Sequence, residues 1–250
     1  MGTTKLTRKE ILSDDPVHDG ILRLFGILQG NRRLIAVSLA VAVVLAVGLW
    51  AGSRYLDARA LAAAERLGKG MDFFMANVSA DAGDGADPYA SGDGTPTFKS
   101  DEAKYQAAAK EFAAVADAFG AGETAKTARY FLGLTQLKLG KKDEAVKTLE
   151  KVAFGSGSRT VGYLAKKALA GHYAESGNAK GAAELLQGMV KDSKCDLPKE
   201  ELSLQLSRVL VADGKKDEAV KVLREATEQP GDAFGTYNSQ VLAEIEKLQK

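Results

Sequence analysis

The octapeptide GKKDEAVK occupies residues 140–147 and recurs unchanged at residues 214–221. The two copies begin 74 residues apart, which is twice 37, and the related sequence GNAKGAAE begins halfway between them, at Gly177. The same 37-residue spacing relates four sets of positions: Leu132, Leu169 and Leu206; Gly133, Ala170 and Ser207; Ala145, Ala182 and Ala219; Leu149, Leu186 and Leu223. Internal repetition at this period indicates a stack of similar structural units.

Each copy has the features of a helical hairpin. A glycine such as Gly140 can adopt the left-handed conformation that ends a first helix. The acidic residues Asp143 and Glu144 then lie near the positively polarised start of a second helix. A small residue in the first helix faces an alanine in the second, so that the two helices approach closely. One hairpin cannot bury its apolar face alone, and the sequence therefore predicts an all-α fold in which hairpins stack into a solenoid.

Residues 34–52, LIAVSLAVAVVLAVGLWAG, carry no charge. As a helix this stretch would span ~28 Å, close to the ~30 Å hydrocarbon core of a bilayer. The segment before it is too long, and the apolar core too extended, for a cleaved signal peptide. We therefore predict a single transmembrane anchor at residues 34–52, with the bilayer as its partner. Ser38 is its only polar residue, so a transport pathway is not expected.

The charges on either side of the anchor favour one orientation. Arg23, Arg32 and Arg33 precede it, which places the N-terminus in the cytoplasm by the positive-inside rule. Basic residues also follow the anchor, so the bias is weak, but long C-terminal domains translocate with little regard to charge. Residues 1–33 are interpreted as a cytoplasmic tail. Its apolar cluster between residues 21 and 28 is read either as a short juxtamembrane helix or as a spacer.

Residues 53–125 are interpreted as one split unit before the clear repeats. Residues 55–78 predict a stalk helix. Residues 79–97, rich in glycine, aspartate and proline, predict a flexible loop rather than a calcium site, because the ligand spacing of an EF-hand is not met. Residues 101–119 predict a further helix, and three of its residues continue the 37-residue register as the second helix of an earlier hairpin: Ala108, Phe112 and Val115.

Composition argues against several functions. The formal net charge is +1, and residues 34–250 lack the basic excess of a nucleic-acid-binding domain. Cys195 is the only cysteine, so no disulfide within the chain can form. The sequence has no phosphate-binding loop, zinc-protease motif or nucleophile elbow. We therefore expect no enzyme activity, no catalytic residue, no metal and no cofactor, and we read His172 as a packing or surface residue.

The hairpins resemble the tetratricopeptide repeat (TPR). That family has a large–small pair in its first helix, as at Leu132–Gly133, and an alanine followed four residues later by a bulky residue in its second helix, as at Ala145 and Leu149. The period of 37 rather than 34 residues, and Gln136 where an aromatic residue is usual, depart from the family pattern. The resemblance implies repeats at residues 126–162, 163–199 and 200–233, followed by a capping helix at residues 234–249.

The combination of tail, anchor and repeats also resembles the ancillary SecYEG translocon subunit (YfgM-like) family. This resemblance implies a scaffold in the bacterial inner membrane with a periplasmic TPR domain. The implied partners are Sec translocon subunits, periplasmic chaperones or exported proteins. An adaptor for cell-division or outer-membrane assembly complexes is the alternative, and self-association through the solenoid is a further one.

In TPR solenoids the first helix of each hairpin lines the concave groove. By this resemblance, the corresponding positions of this chain would line a groove for protein or peptide partners. Its residues would be Tyr130, Leu134, Lys138, Lys167, Glu175, Leu204 and Arg208.

Overall fold

The computed structural model describes residues 32–79, 89, 96–120, 122–155, 159–228 and 236–249. The predicted juxtamembrane helix and nearly all of the predicted flexible loop lie outside these residues. The described part of the chain contains nine α-helices and two short strands: α1 (Arg32–Met75), β1 (Asn77–Val78), β2 (Thr97–Phe98), α2 (Asp101–Ala118), α3 (Glu123–Lys138), α4 (Lys142–Ala153), α5 (Arg159–Glu175), α6 (Ala179–Lys191), α7 (Lys199–Ala212), α8 (Lys216–Glu228) and α9 (Thr236–Gln249). The predicted all-α class is confirmed.

The chain divides into two compact units, Met1–Ala58 and Arg59–Lys250. The described residues of the first unit are the N-terminal part of α1, which is the one described helix long and apolar enough to cross a membrane. Its large apolar side chains face outward; Val37 is 62% exposed and Trp50 is 64% exposed. A helix that is apolar on every face and buried on none is suited to lipid rather than water.

The turns inside the repeats confirm the hairpin prediction. Gly140, Gly177 and Gly214 are left-handed, with φ of 74°, 80° and 78°. At each of them the glycine N–H and the following N–H donate to carbonyls at the end of the first helix; Lys141, for example, donates to the Gln136 carbonyl at 2.9 Å. This is the hydrogen-bond pattern of a Schellman cap. It satisfies carbonyl groups that the helix end leaves without a partner and reverses the chain into the second helix.

The first hairpin is formed by α1 from Arg59 onward together with α2, as the register predicts. A Cβ atom built on Gly70 would lie 2.6 Å from the Phe112 ring, and one built on Gly133 would lie 2.6 Å from Leu149 Cγ. The two glycines therefore occupy equivalent positions. In both hairpins the backbone of the first helix packs directly on the largest fully buried side chain of the second.

The stalk helix ends earlier than the sequence pattern predicts. It stops at Met75, and residues 77–78 form β1, which pairs in parallel with β2. Ser79 N–H also donates to the Phe98 carbonyl at 2.9 Å. The strands are only two residues long, too short for a detectable alternation of apolar and polar residues. They bring the two ends of the 79–97 segment together.

Basic side chains cap the ends of the first hairpin. Arg59 donates to the Ala118 carbonyl and Arg129 to the Ala116 carbonyl, both at 2.6 Å. A cation at a helix C-terminus satisfies carbonyls without helical partners and interacts favourably with the helix dipole. The two arginines therefore join the last turn of α2 to α1 on one side and to α3 on the other.

The core of the second unit changes character along the chain. Around the first hairpin it is aromatic: Phe112 stacks on Phe131 with ring centroids 5.6 Å apart, and Phe73 meets Phe98 edge to face at 5.4 Å. Around the last two hairpins it is aliphatic, and its buried members include Leu186, Met189, Leu202, Leu206, Leu223 and Val241. The last helix, α9, packs on α8 and α7. It thus covers the end of the solenoid, as predicted for a capping helix.

Candidate binding groove

The first helices of successive hairpins form one continuous layer. Phe74 of α1 meets Phe131 of α3 at a centroid distance of 5.9 Å, α3 packs on α5, and Lys167 of α5 forms an ion pair with Glu201 of α7. In the described part of the chain, the main contacts of α4, α6 and α8 are with helices of this layer. First helices of neighbouring hairpins therefore contact each other directly.

Three positions of each first helix fall on one face of this layer. The reference in each first helix is the small residue that faces the second helix: Gly70, Gly133, Ala170 or Ser207. The three positions lie three residues before it, one residue after it and five residues after it. Because a helix repeats every 3.6 residues, these positions share a face. In chain order, the four sets are Leu67, Met71 and Met75; Tyr130, Leu134 and Lys138; Lys167, Gly171 and Glu175; and Leu204, Arg208 and Ala212. We call this face the groove.

The groove is apolar at its N-terminal end. Leu67 and Met71 are half-buried against the aromatic core, and Met75 is 70% exposed. Tyr130 is half-buried and its ring meets Phe131 at 5.1 Å. Burial raises the pKa of the Tyr130 hydroxyl, which therefore stays a neutral hydrogen-bonding group at the edge of an apolar surface.

The middle of the groove combines charge with small residues. Lys167 ion-pairs with Glu201 of the next first helix, so that its charge is partly neutralised within the groove. Gly171 is exposed, and a Cβ atom built on it would meet nothing within 4 Å. Lys138 and Glu175 are both exposed. This part of the surface therefore leaves space above α5 and presents charge on either side of it.

The prediction for Leu204 is wrong. Its side chain is only 5% exposed and belongs to the aliphatic core. The reason is that α7 is packed by α6, α8 and α9, and Glu201 in its first turn is tied to α5. Faces that remain open on the earlier first helices are covered on α7. Arg208, one turn further along, is exposed.

The sequence interpretation also missed groove residues in the first hairpin. Leu67, Met71 and Met75 lie on α1, which the 37-residue register does not reach because the inserted segment separates α1 from α2. The signal that finds them is the glycine opposite the buried aromatic residue: once Gly70 is aligned with Gly133, Met71 aligns with Leu134.

His172 and Cys195 have structural roles. His172 is 9% exposed, with its Nε2 atom 3.4 Å from the Ser176 hydroxyl. Cys195 is half-buried against the aliphatic core, and burial raises the pKa of its thiol. Among the residues that the structure describes, no group of three or more histidine, cysteine, aspartate or glutamate side chains is placed to hold a metal ion.

Comparisons with known proteins agree with the hairpin geometry at one place. A sequence model of the tetratricopeptide repeat family matches residues 127–153, which run from the fifth residue of α3 to the end of α4. No match was found among curated proteins.

Two crystal structures share partial similarity with the chain. Both are of a Podosopora anserina protein described as a kinesin light chain candidate with nearly identical TPR-like repeats, and one of them is a single-substitution variant. Each is 19% identical to this chain, covers 59% of it and has a TM-score of 0.42; the shares of those chains covered are 87% for the variant and 88% for the other. The description of this fold as a TPR-like solenoid rests on the hairpins, their caps and their register.

Proposed function

We propose that this protein is a single-pass, membrane-anchored scaffold whose TPR groove binds segments of partner proteins. The observation that carries the proposal is the chemical gradient along one open face. Leu67, Met71 and Met75 make its first end apolar, whereas the exposed Lys138, Glu175 and Arg208 make its later part charged, with cations in excess. Such a surface suits an extended or helical segment that has apolar anchor residues followed by acidic or polar ones.

The proposed setting is the bacterial inner membrane, with the N-terminus in the cytoplasm and the repeats in the periplasm. The support is the apolar N-terminal part of α1 and the resemblance of the whole arrangement to ancillary translocon subunits. Sec translocon subunits, periplasmic chaperones and exported proteins are the proposed partners. A scaffold of this kind needs no catalytic residue, because its role is to hold a segment near the site of export.

Site-specific photo-crosslinking in native membranes tests the groove. A photo-reactive residue replaces Leu134 or Arg208 in the full chain, and matched probes replace Lys142 and Lys180, which are exposed at the first turns of second helices. We expect protein adducts at the groove positions and at least fivefold fewer at the control positions. Equal yields at the two faces would contradict groove binding. Adducts only with cell-division or outer-membrane assembly proteins would favour the alternative adaptor role.

A further inference from the structure

Three cations surround a small open cavity at one edge of the second unit. Lys126, Arg159 and Lys166 line it, together with residues at the end of α4 and the start of α5, and its volume is about 200 Å³. The described lining residues include no carboxylate. We call this cavity the basic pocket. Cations that line one cavity give it a positive potential, which attracts an anion.

Lys126 forms the floor of the basic pocket. The residue is only 5% exposed. A Cβ atom built on Gly162 would lie 3.8 Å from its Nζ atom and 3.7 Å from the Val152 and Ala153 carbonyl oxygens. The ammonium group and the negatively polarised end of α4 thus border the same space beside Gly162, where the helix dipole favours a cation. The absence of a side chain at Gly162 leaves room above it.

Lys166 forms one wall and is held by two aromatic rings. Its Nζ atom lies 5.1 Å from the centroid of Tyr163 and 5.7 Å from the centroid of Phe154. Phe154 is 65% exposed, which is unusual for a phenylalanine outside an interface. The pocket therefore places a large exposed apolar ring directly beside its cations.

Two carboxylates stand behind Tyr163. Asp192 accepts a hydrogen bond from the Tyr163 hydroxyl at 2.5 Å and another from the Lys194 N–H at 2.9 Å. Asp196 accepts a hydrogen bond from the Thr160 hydroxyl. Both carboxylates are engaged by neutral donors, and they reduce the positive charge of the pocket without occupying it.

The basic pocket lies at the edge where first helices begin and second helices end. Arg59, the first residue of the second unit, belongs to the same edge because it donates to the Ala118 carbonyl at the end of α2. Only residues 53–58 separate Arg59 from the apolar stretch at residues 34–52. A short covalent connection gives a bilayer that holds the apolar stretch a high effective concentration for the second unit as a whole.

We propose that the basic pocket binds the phosphate of an anionic phospholipid headgroup in the membrane that holds the anchor. Cations near a bilayer surface are attracted to anionic lipids, and an exposed aromatic ring beside them favours the interfacial region. Phosphate accepts charge-assisted hydrogen bonds from the guanidinium and ammonium groups. This assignment rests on the membrane anchor of the proposed function and is independent of the groove.

The test measures acylation of individual lysines by a water-soluble reagent, read by mass spectrometry, on the full chain in nanodiscs. One set of nanodiscs contains only phosphatidylcholine, and the other contains 30 mol% phosphatidylglycerol. We expect Lys166 to react at least threefold more slowly in the anionic nanodiscs. Two exposed lysines are the references: Lys194 near the pocket and Lys180 at the opposite edge. Their acylation rates should fall by less than half as much as that of Lys166.

A variant pair removes one cation at either edge. Arg159→Gln should abolish the slowing at Lys166, whereas Lys142→Gln, which makes the same charge change at the opposite edge, should leave it intact. Both positions are exposed, and circular dichroism should show the same helix content for both variants. Equal slowing of Lys166 and Lys194 would reveal only the diffuse surface potential and would overturn the proposal.

Two further arms identify the source of the anion. Inorganic phosphate at 10 mM, or an octaglutamate peptide, is added to phosphatidylcholine nanodiscs. We expect neither to slow Lys166 as much as the anionic lipid does. If phosphate does so, the pocket binds a soluble anion, and if octaglutamate does so, it binds an acidic protein segment; either result overturns the lipid assignment. Failure of the chain to enter nanodiscs would instead remove the anchor, and groove crosslinking reports separately on partner binding.

Discussion

In the first two hairpins, a glycine stands opposite the largest fully buried side chain of the second helix: Gly70 faces Phe112, and Gly133 faces Leu149. In the last two hairpins, alanine and serine occupy the position of these glycines. In the first two hairpins the bare backbone of the first helix therefore lies against a buried side chain, whereas in the last two a methyl or hydroxymethyl group stands at that position. The comparison shows that the same hairpin connection is compatible with different residues at the point of contact.

The two halves also differ in what the core connects. In the first half, aromatic rings reach across element boundaries: Phe74 of α1 meets Tyr105 of α2 at 5.6 Å and Phe131 of α3 at 5.9 Å. In the second half, aliphatic side chains from five successive helices share one cluster. Aromatic pairs have preferred geometries beyond their buried area, whereas aliphatic cores depend mainly on volume. Substitutions should therefore affect the two halves differently.

The largest effect is expected for Phe112→Ala. Phe112 is fully buried and its ring contacts two other rings, so that truncation should lower the free energy of unfolding by about 3–5 kcal/mol. Urea unfolding of the full chain in detergent micelles, followed by circular dichroism, measures it. Leu242→Ala, at a residue 56% exposed, is the control and should change it by less than about 0.5 kcal/mol. A similar loss for both variants would show that the aromatic core is not a stabilising centre.

Gly133→Ala should destabilise the chain by about 1–3 kcal/mol, because the new methyl group would overlap Leu149. The matched control is Gly171→Ala on the next first helix, where the methyl group meets nothing within 4 Å. The free energy of unfolding of that control should rise by up to about 1 kcal/mol, because alanine favours a helix more than glycine does. The same urea titration compares them. Two changes of the same sign would contradict the close approach of α3 and α4.

Turn glycines should behave alike in both halves. Gly177→Ala places a methyl group at φ of 80° and should lower the free energy of unfolding by about 1–2 kcal/mol. Gly140→Ala and Gly214→Ala should lower it by the same amount within error. Gly188→Ala, inside α6 with nothing within 4 Å, is the control and should be neutral or stabilising. Thermal unfolding of the four variants is sufficient. A cost confined to one hairpin would show that the three caps are not equivalent.

The smallest effect concerns the hydrogen bond between Tyr163 and Asp192. It raises the pKa of Tyr163 to about 12 and lowers the pKa of Asp192. The tyrosine contribution to stability is therefore complete below the unfolded pKa of about 10 and is lost as the pH rises towards about 12. The aspartate contribution is present above its unfolded pKa of about 3.9 and is lost as the pH falls through the lowered value.

Tyr163→Phe should accordingly lower the unfolding temperature at pH 7 and flatten its dependence on pH between about 10 and 12. Tyr105→Phe is the matched control. Melting curves at pH 7, 10 and 12 provide the measurement. An unchanged slope in the Tyr163 variant would show that this hydrogen bond does not stabilise the loop before α7.

Most of the hairpin architecture could be predicted because it depends on contacts between residues close in sequence, and because these contacts recur in each repeat. The glycine caps and the small residue facing a bulky one depend on short-range geometry, and the 37-residue register exposes them. Leu204 could not be predicted correctly, since its burial depends on how α7 packs against α6, α8 and α9. Phe131 was missed for a related reason: its partners Phe74 and Phe112 belong to another hairpin. Contacts between repeats leave no fixed spacing in the sequence.

The pairing of β1 with β2 has a consequence for insertions into the chain. Asn77 pairs with Thr97 and Val78 with Phe98, so that the two ends of the inserted segment lie side by side. When the ends of a segment are held together, doubling its length adds only about 0.6 kcal/mol to the cost of closing it. An epitope or fluorescent domain inserted between the strands should therefore leave the spacing of the hairpins unaltered, provided that Tyr89, whose ring lies 5.9 Å from that of Phe73, keeps its place.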